Sequence, residues 1–176
     1  MVMPLTHFGM DILRKKTTRL EKYDESLDQL VEDMFETMYD ANGIGLAANQ
    51  VGVDLALATI DISEADESIE PFVIINPEII ESEGAEMMEE GCLSIPGIHE
   101  NVKRAEYIKV RYMTRDNEIV EREAEGLHAR VIQHETDHLN GTFFVDRVSP
   151  VKRRFLKRKL DTIAKEGFSV EDEDQD

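Results

Sequence analysis

The segment Gln133-His134-Glu135-Thr136-Asp137-His138 constrains this chain more than any other. Histidines at i and i+4 project from one face of a helix. Leu127 and Val131 continue that face toward the N-terminus, so a helix over residues 127–139 lays its histidines against a dry interior, and Asn140-Gly141 ends it. Two imidazoles so placed can bind one metal ion. A carboxylate between them, Glu135, can reach a metal-bound water and act as general base. Two core histidines beside a surface glutamate would satisfy the same three fixed positions.

A catalytic metal wants a third protein ligand and an open position. Cys92 is the only cysteine and the first candidate. It sits in Glu90-Gly91-Cys92-Leu93-Ser94-Ile95-Pro96-Gly97, where the glycines and proline indicate a shaped loop rather than an ordinary strand. Most lone cysteines are small buried hydrophobes. His99 is the alternative ligand, a weaker one because no constrained turn holds it. A third segment, Gly43-Ile44-Gly45-Leu46-Ala47-Ala48-Asn49-Gln50-Val51-Gly52, has neither the glycine spacing nor the lysine of a phosphate loop. Its small residues allow close backbone approach and Gln50 supplies an amide donor, but alone it reads as a tight helix-to-strand turn.

The rest of the pattern is α+β. Apolar residues at Leu27, Leu30, Val31, Met34, Phe35 and Met38 predict an amphipathic helix over 24–41. Residues 53–62 and 71–75 read as strands, with a break at Asn76-Pro77, and 78–89 as a loosely alternating strand pair. Residues 105–113 and 117–124 straddle a hairpin turn at Arg115-Asp116-Asn117. Ser149-Pro150 caps a last helix running to about Lys165. Strands grouped between terminal helices predict mostly antiparallel sheets around the histidine-bearing helix, not a βαβ alternation. Residues 1–166 read as a single domain, and 167–176 as an acidic disordered tail.

Charge narrows the function classes. The 176 residues sum to −18, so general nucleic-acid affinity is excluded. From Tyr23 to Val102 there are 20 acids and no Lys or Arg. Residues 149–165 carry +6, leaving −24 for the remainder. No apolar run is long enough to span a bilayer, the N-terminus lacks a secretory pattern, and a single cysteine fits a reducing cytoplasm.

The three segments GIGLAANQVG, EGCLSIPG and QHETDHLNG, in this order and at these separations, resemble the signature motifs of peptide deformylase. The similarity runs from about residue 5 to about residue 148. It implies a hydrolase that removes the N-formyl group from the formyl-methionine of nascent polypeptides and releases formate. Cys92, His134 and His138 match the metal ligands, with water at the fourth position. Glu135 matches the residue that takes the water's proton and delivers one to the leaving amine. The oxyanion would be stabilised by the metal, the Gln50 amide and the Leu93 N–H. Residues Gly43, Ile44 and Gly45 resemble the strand edge along which substrate adds. Ile44, Leu127, Val131 and the aliphatic part of Glu90 would line the methionine pocket.

The resemblance further implies a Glu90–Arg104 pair, where a surface pair is the bland alternative. It implies Fe(II) as the native metal, with Zn, Ni or Co as substitutes. His99 stands where some members carry an arginine, which bears on peptide preference. Arg130, helix-borne beside the site, is expected to point to solvent. The basic helix 149–165 has two readings: a solvated amphipathic terminal helix whose bases offset an acidic body, or a ribosome contact, since some members dock through a C-terminal helix; Val151, Phe155, Leu160 and Ile163 would pack on the domain. A zincin-like peptidase and a non-catalytic ribosome-associated or metal-binding protein are the competing readings. Asp137, Cys92 and Gln50 argue against the first, and the presence of the base Glu135 against the second.

Overall fold

The structure, a computed structural model, describes residues 1–167. The elements in order are α1 (Asp28–Asp40), β1 (Gly45–Ala47), β2 (Leu57–Ile60), β3 (Phe72–Glu83), β4 (Glu86–Cys92), β5 (Ile95–Arg104), β6 (Tyr107–Met113), β7 (Ile119–Glu125), α2 (Gly126–Leu139) and α3 (Pro150–Glu166), with short 3-10 turns between some of them. Five strands form an antiparallel sheet in the order β1-β2-β3-β6-β7, and β4 and β5 form a separate hairpin. The fold is therefore the expected α+β arrangement of antiparallel sheets and three helices. Except for Gly167, the expected acidic tail lies outside the described residues.

Two strand expectations need correcting. Asn76-Pro77 does not end a strand: β3 runs through it with a register shift between Ile75 and Glu78. A bulge is where a strand tolerates proline. Asn76 takes a left-handed φ of 52°, and its side-chain amide accepts from Leu20 N–H and donates to Leu20 C=O, at 2.9 and 2.7 Å. It thereby pairs the N-terminal segment as a strand would. Residues 78–89 are not a strand pair either. Their first half finishes β3, and their second half starts β4, whose partner is β5. The loop expected around Cys92 is only the tip of that hairpin, because Ile95–Arg104 continues as strand.

Three apolar clusters hold these pieces together. One packs α2, through Ala129, Val131 and Ile132, on the five-stranded sheet. A second packs α1, through Val31, Met34 and Met38, against β1 and β2. The third joins β5 to Phe143, Phe144 and α3. α3 contributes Leu156, Leu160 and Ile163, whereas Val151 and Phe155 are exposed, contrary to the expected packing. Helical spacing explains this: 156, 160 and 163 share one face, and 151 and 155 lie beside it. α2 starts directly from β7 without a loop and stops at Gly141, whose positive φ and contact with Arg14 C=O leave no room for a side chain.

Candidate active site

α2 enters the cleft between the β1 edge and the β4–β5 hairpin, and this brings separate stretches of sequence to one place. The cleft has a volume of about 550 Å³. Of the residues singled out in the sequence, Gly43, Ile44, Gly45, Gln50, Glu90, Cys92, Leu93, Leu127, Val131, His134 and Glu135 line it, and His138 lies buried behind them. His99 is on the rim, its ring against Gly91, and is not part of the ligand cluster.

At the cleft floor Cys92 Sγ is 3.1 Å from His138 Nε2, which is 3.1 Å from His134 Nε2. The three donor atoms all lie within 4.8 Å of one another. Two Nε2 lone pairs facing each other beside a sulfur are stable around a shared cation, and a thiolate with two imidazoles suits a divalent transition metal. The residues therefore fit the implied metal. His134 Nδ1 lies 2.8 Å from Glu90 Oε1, which keeps a proton on Nδ1 and leaves Nε2 free as a ligand. Burial opposes a charged His134, but the Cys92 sulfur and the Glu90 carboxylate outweigh it and raise its proton affinity. Burial holds His138 well on the neutral side.

Glu135 lies under β1. It is 2% exposed, its Oε1 is 4.0 Å from His134 Nε2, and among the described residues its Oε2 has no hydrogen-bond partner. Burial pushes its pKa up to about 7, with the charge of His134 opposing. A carboxyl so placed can exchange a proton near neutrality. Gln50 is oriented by its surroundings: Ala47 N–H donates to Oε1 at 3.0 Å, and Nε2 donates to Ser94 Oγ at 3.2 Å and faces Cys92 Sγ at 3.5 Å. Its NH₂ thus points into the cleft beside the ligand trio. Leu93, at the hairpin tip, follows Cys92 directly.

Arg130 does not point to solvent. It is 4% exposed, and it donates to Glu90 Oε2 at 2.5 Å, to Val102 C=O at 3.0 Å and to Glu86 C=O at 2.8 Å. Its spacing was the available signal, since it precedes His134 by four residues and so shares the buried face. Arg104 also grips Glu90, through Nε at 2.7 Å and a terminal nitrogen at 2.9 Å, so the expected pair exists and is buried. Arg104 reaches Asp137 at 2.8 Å as well, and Asp137 in turn pairs with Arg147. Burial would raise the Glu90 pKa, but His134 and Arg104 hold it down at about 2. Ser94 and Asp137 were not anticipated in these roles, because neither bond is visible without the fold.

Comparison with known proteins points one way. The family model described as polypeptide deformylase matches residues 2–154. A peptide deformylase of Alkalilimnicola ehrlichii is 48% identical over 155 residues, covering 88% of this chain and 86% of its own. The crystal structure of a peptide deformylase from Legionella pneumophila superposes with a TM-score of 0.84 at 46% identity, covering 94% of this chain and 96% of that one. That of a peptide deformylase from Synechococcus elongatus in complex with actinonin has a TM-score of 0.81 at 42% identity, covering 96% and 90%.

Proposed function

The chain belongs to the peptide deformylase family, and from that premise we propose how its residues carry the reaction. The enzyme is a metal-dependent hydrolase that removes the N-formyl group from the formyl-methionine of nascent polypeptides and releases formate. The observation that carries the residue assignment is the convergence of Cys92 Sγ, His134 Nε2 and His138 Nε2 in the cleft floor, with the Glu135 carboxylate beside them. Cys92, His134 and His138 hold the metal, Fe(II) natively, with Ni, Co or Zn as substitutes. When bound, the metal supplies Lewis acidity toward water and the formyl carbonyl.

Glu135 accepts the proton of the attacking water and passes it to the nitrogen of the leaving amine. Its burial supports this role by raising its proton affinity into the working range. The Gln50 NH₂ and the Leu93 N–H donate to the oxygen that gains charge in the transition state. The substrate peptide adds to residues 43–45 as an antiparallel strand and presents its methionine to Ile44, Leu127, Val131 and the methylenes of Glu90. Main-chain pairing at β1 makes binding tolerant of the downstream sequence.

Residues 1–166 act as one catalytic domain, a reading supported by α1 and α2 packing on the five-stranded sheet and by α3 packing on the β4–β5 hairpin in apolar clusters. The face of α3 that carries Arg154, Arg158 and Lys159 docks on ribosomal RNA; all three are exposed and, among the described residues, form no salt bridge. The enzyme works in the cytoplasm. Among the described residues no helix is long and apolar enough to cross a membrane.

Anaerobic metal analysis coupled to formate release from formyl-Met-Ala-Ser, with the acetyl peptide as control, tests the reading. One divalent metal per chain and selective cleavage of the formyl peptide are expected. Equal cleavage of the acetyl peptide, or cleavage of internal peptide bonds, would overturn it.

A further inference from the structure

The ligand atoms at the cleft floor come from two bodies that, among the described residues, no strand pairing joins. Cys92 ends β4, in the two-stranded hairpin, and His134 and His138 sit on α2, which packs on the five-stranded sheet. Their separation depends on how the hairpin is seated against the helix. Arg130 crosses that seam with three hydrogen bonds. From α2 it reaches Glu86 C=O at the start of β4, Glu90 Oε2 two residues before Cys92, and Val102 C=O on β5.

The Glu90 carboxylate is fully subscribed. Oε1 faces His134 Nδ1 and one Arg104 nitrogen, and Oε2 faces Arg104 Nε and Arg130. Arg130 therefore also fixes the carboxylate that orients His134, one turn further along its own helix. The planar guanidinium suits this task, because its donors leave in fixed directions and can bridge two carbonyls and a carboxylate at once. A lysine offers one charged nitrogen and no such fork.

We propose that Arg130 is a positioning residue, which holds the β4–β5 hairpin on α2 at the spacing where Cys92 and the two histidines share one metal ion. This rests on the metal-ligand reading above and goes beyond it, since Arg130 supplies none of the ligand atoms and acts from the cleft wall through Glu90 and the hairpin backbone. Losing outer contacts to metal ligands typically costs 10- to 100-fold in metal affinity or activity.

The test compares the wild-type, Arg130→Met and Arg130→Lys proteins, each loaded with Co(II) under anaerobic conditions. The readouts are the sulfur-to-cobalt charge-transfer absorbance, the rate of cobalt loss to excess chelator, and kcat and KM for formyl-Met-Ala-Ser. Arg130→Met should lose cobalt about 10- to 100-fold faster, with a shifted or weakened charge-transfer band and a fall in kcat at near-constant KM. Arg130→Lys should lie between the two. A Tm reduced in the variants with unchanged cobalt loss and absorbance would overturn the proposal and leave Arg130 as a plain core contact. If Arg130→Met does not fold, unchanged cobalt loss and absorbance in Arg130→Lys overturns it equally. A wild-type protein without a thiolate-cobalt band would instead sink the ligand assignment.

Discussion

Gly45 and Glu135 touch so closely that a β-carbon at residue 45 would lie 2.6 Å from Glu135 Oε1 and 2.9 Å from its Cγ. Strand β1 and the proposed base are packed surface to surface, and the hydrogen at position 45 makes that contact feasible. Gly45 is a strand residue with no positive φ, so an alanine there is backbone-compatible and its effect falls on the carboxylate. Gly45→Ala should therefore displace Glu135 and cut kcat by about 10²-fold or more, the scale of a misplaced general base. Metal content should not change. Retention of full activity would show that the carboxylate position seen here is not the working one.

Gln50 offers a second quantitative test. Its NH₂ is aimed by Ala47 N–H on one side and Ser94 Oγ on the other. Gln50→Ala should lower kcat by about 10²–10³-fold with little change in KM, as for loss of a donor to a developing oxyanion. Ser94→Ala should give a smaller loss of the same kind. A pure KM effect in either variant would assign Gln50 to substrate binding instead.

Cys92→Ser should weaken or change the bound metal, as read by metal analysis after dialysis; unchanged metal content would remove Cys92 from the ligand set. Ferrous iron beside a thiolate is open to oxidation, so the Fe(II) enzyme should lose activity in air faster than the Ni(II) enzyme. Equal decay of the two forms, followed by formate release over time, would count against that chemistry.

His128 provides a pH dependence away from the metal. Burial, with Arg122 nearby, lowers its pKa from 6.5 to about 4, and among the described residues its Nε2 has no hydrogen-bond partner. The unfolded chain takes up a proton there before the folded one does. The corresponding stability is complete above about pH 6.5 and is lost progressively as pH falls toward 4. Tm measured from pH 7 to pH 5 should fall more steeply for the wild type than for His128→Leu. Parallel curves would contradict the assignment.

Charge reversal on α3 tests ribosome docking better than truncation. Removing α3 would strip Leu156, Leu160 and Ile163 from the cluster that also contains Ile95 and Ile98 of β5, and so disturb the cleft wall. Arg154→Glu with Arg158→Glu leaves that face intact. The double variant should lose ribosome co-sedimentation and keep its kcat/KM on short formyl peptides. Unchanged or salt-insensitive co-sedimentation would rule out an electrostatic contact.

Much of this was legible because the chemistry is local. His134 and His138 are one helical turn apart with Glu135 between them, so helix geometry brings them together. Cys92 was a candidate as the one cysteine in a shaped loop, and Gln50 gained a role only through motif resemblance, because nothing in a linear reading places residues 50, 92 and 134 in contact. Arg130 carries a charge that favours solvent, yet its spacing puts it on the buried face of α2, where the fold satisfies it with a carboxylate 40 residues away. The Asn76-Pro77 break was misread for a related reason. Its turn chemistry is real, but a bulge absorbs it when a long-range partner such as Leu20 pairs with the asparagine. On α3, two of the four residues expected to pack do so, as a helix buries only the stripe its neighbours reach.

The brevity of β1 has one more consequence. An open sheet edge is ordinarily an invitation to self-association, since a second molecule can extend the ladder. Here the edge strand is three residues long, preceded by Asn42 in a left-handed conformation and followed at once by a 3-10 turn. A long rigid strand from another copy finds too few partners, and two copies each bearing −18 repel on approach. The groove thus stays free of polymer growth while remaining open to the loose end of an unfolded chain.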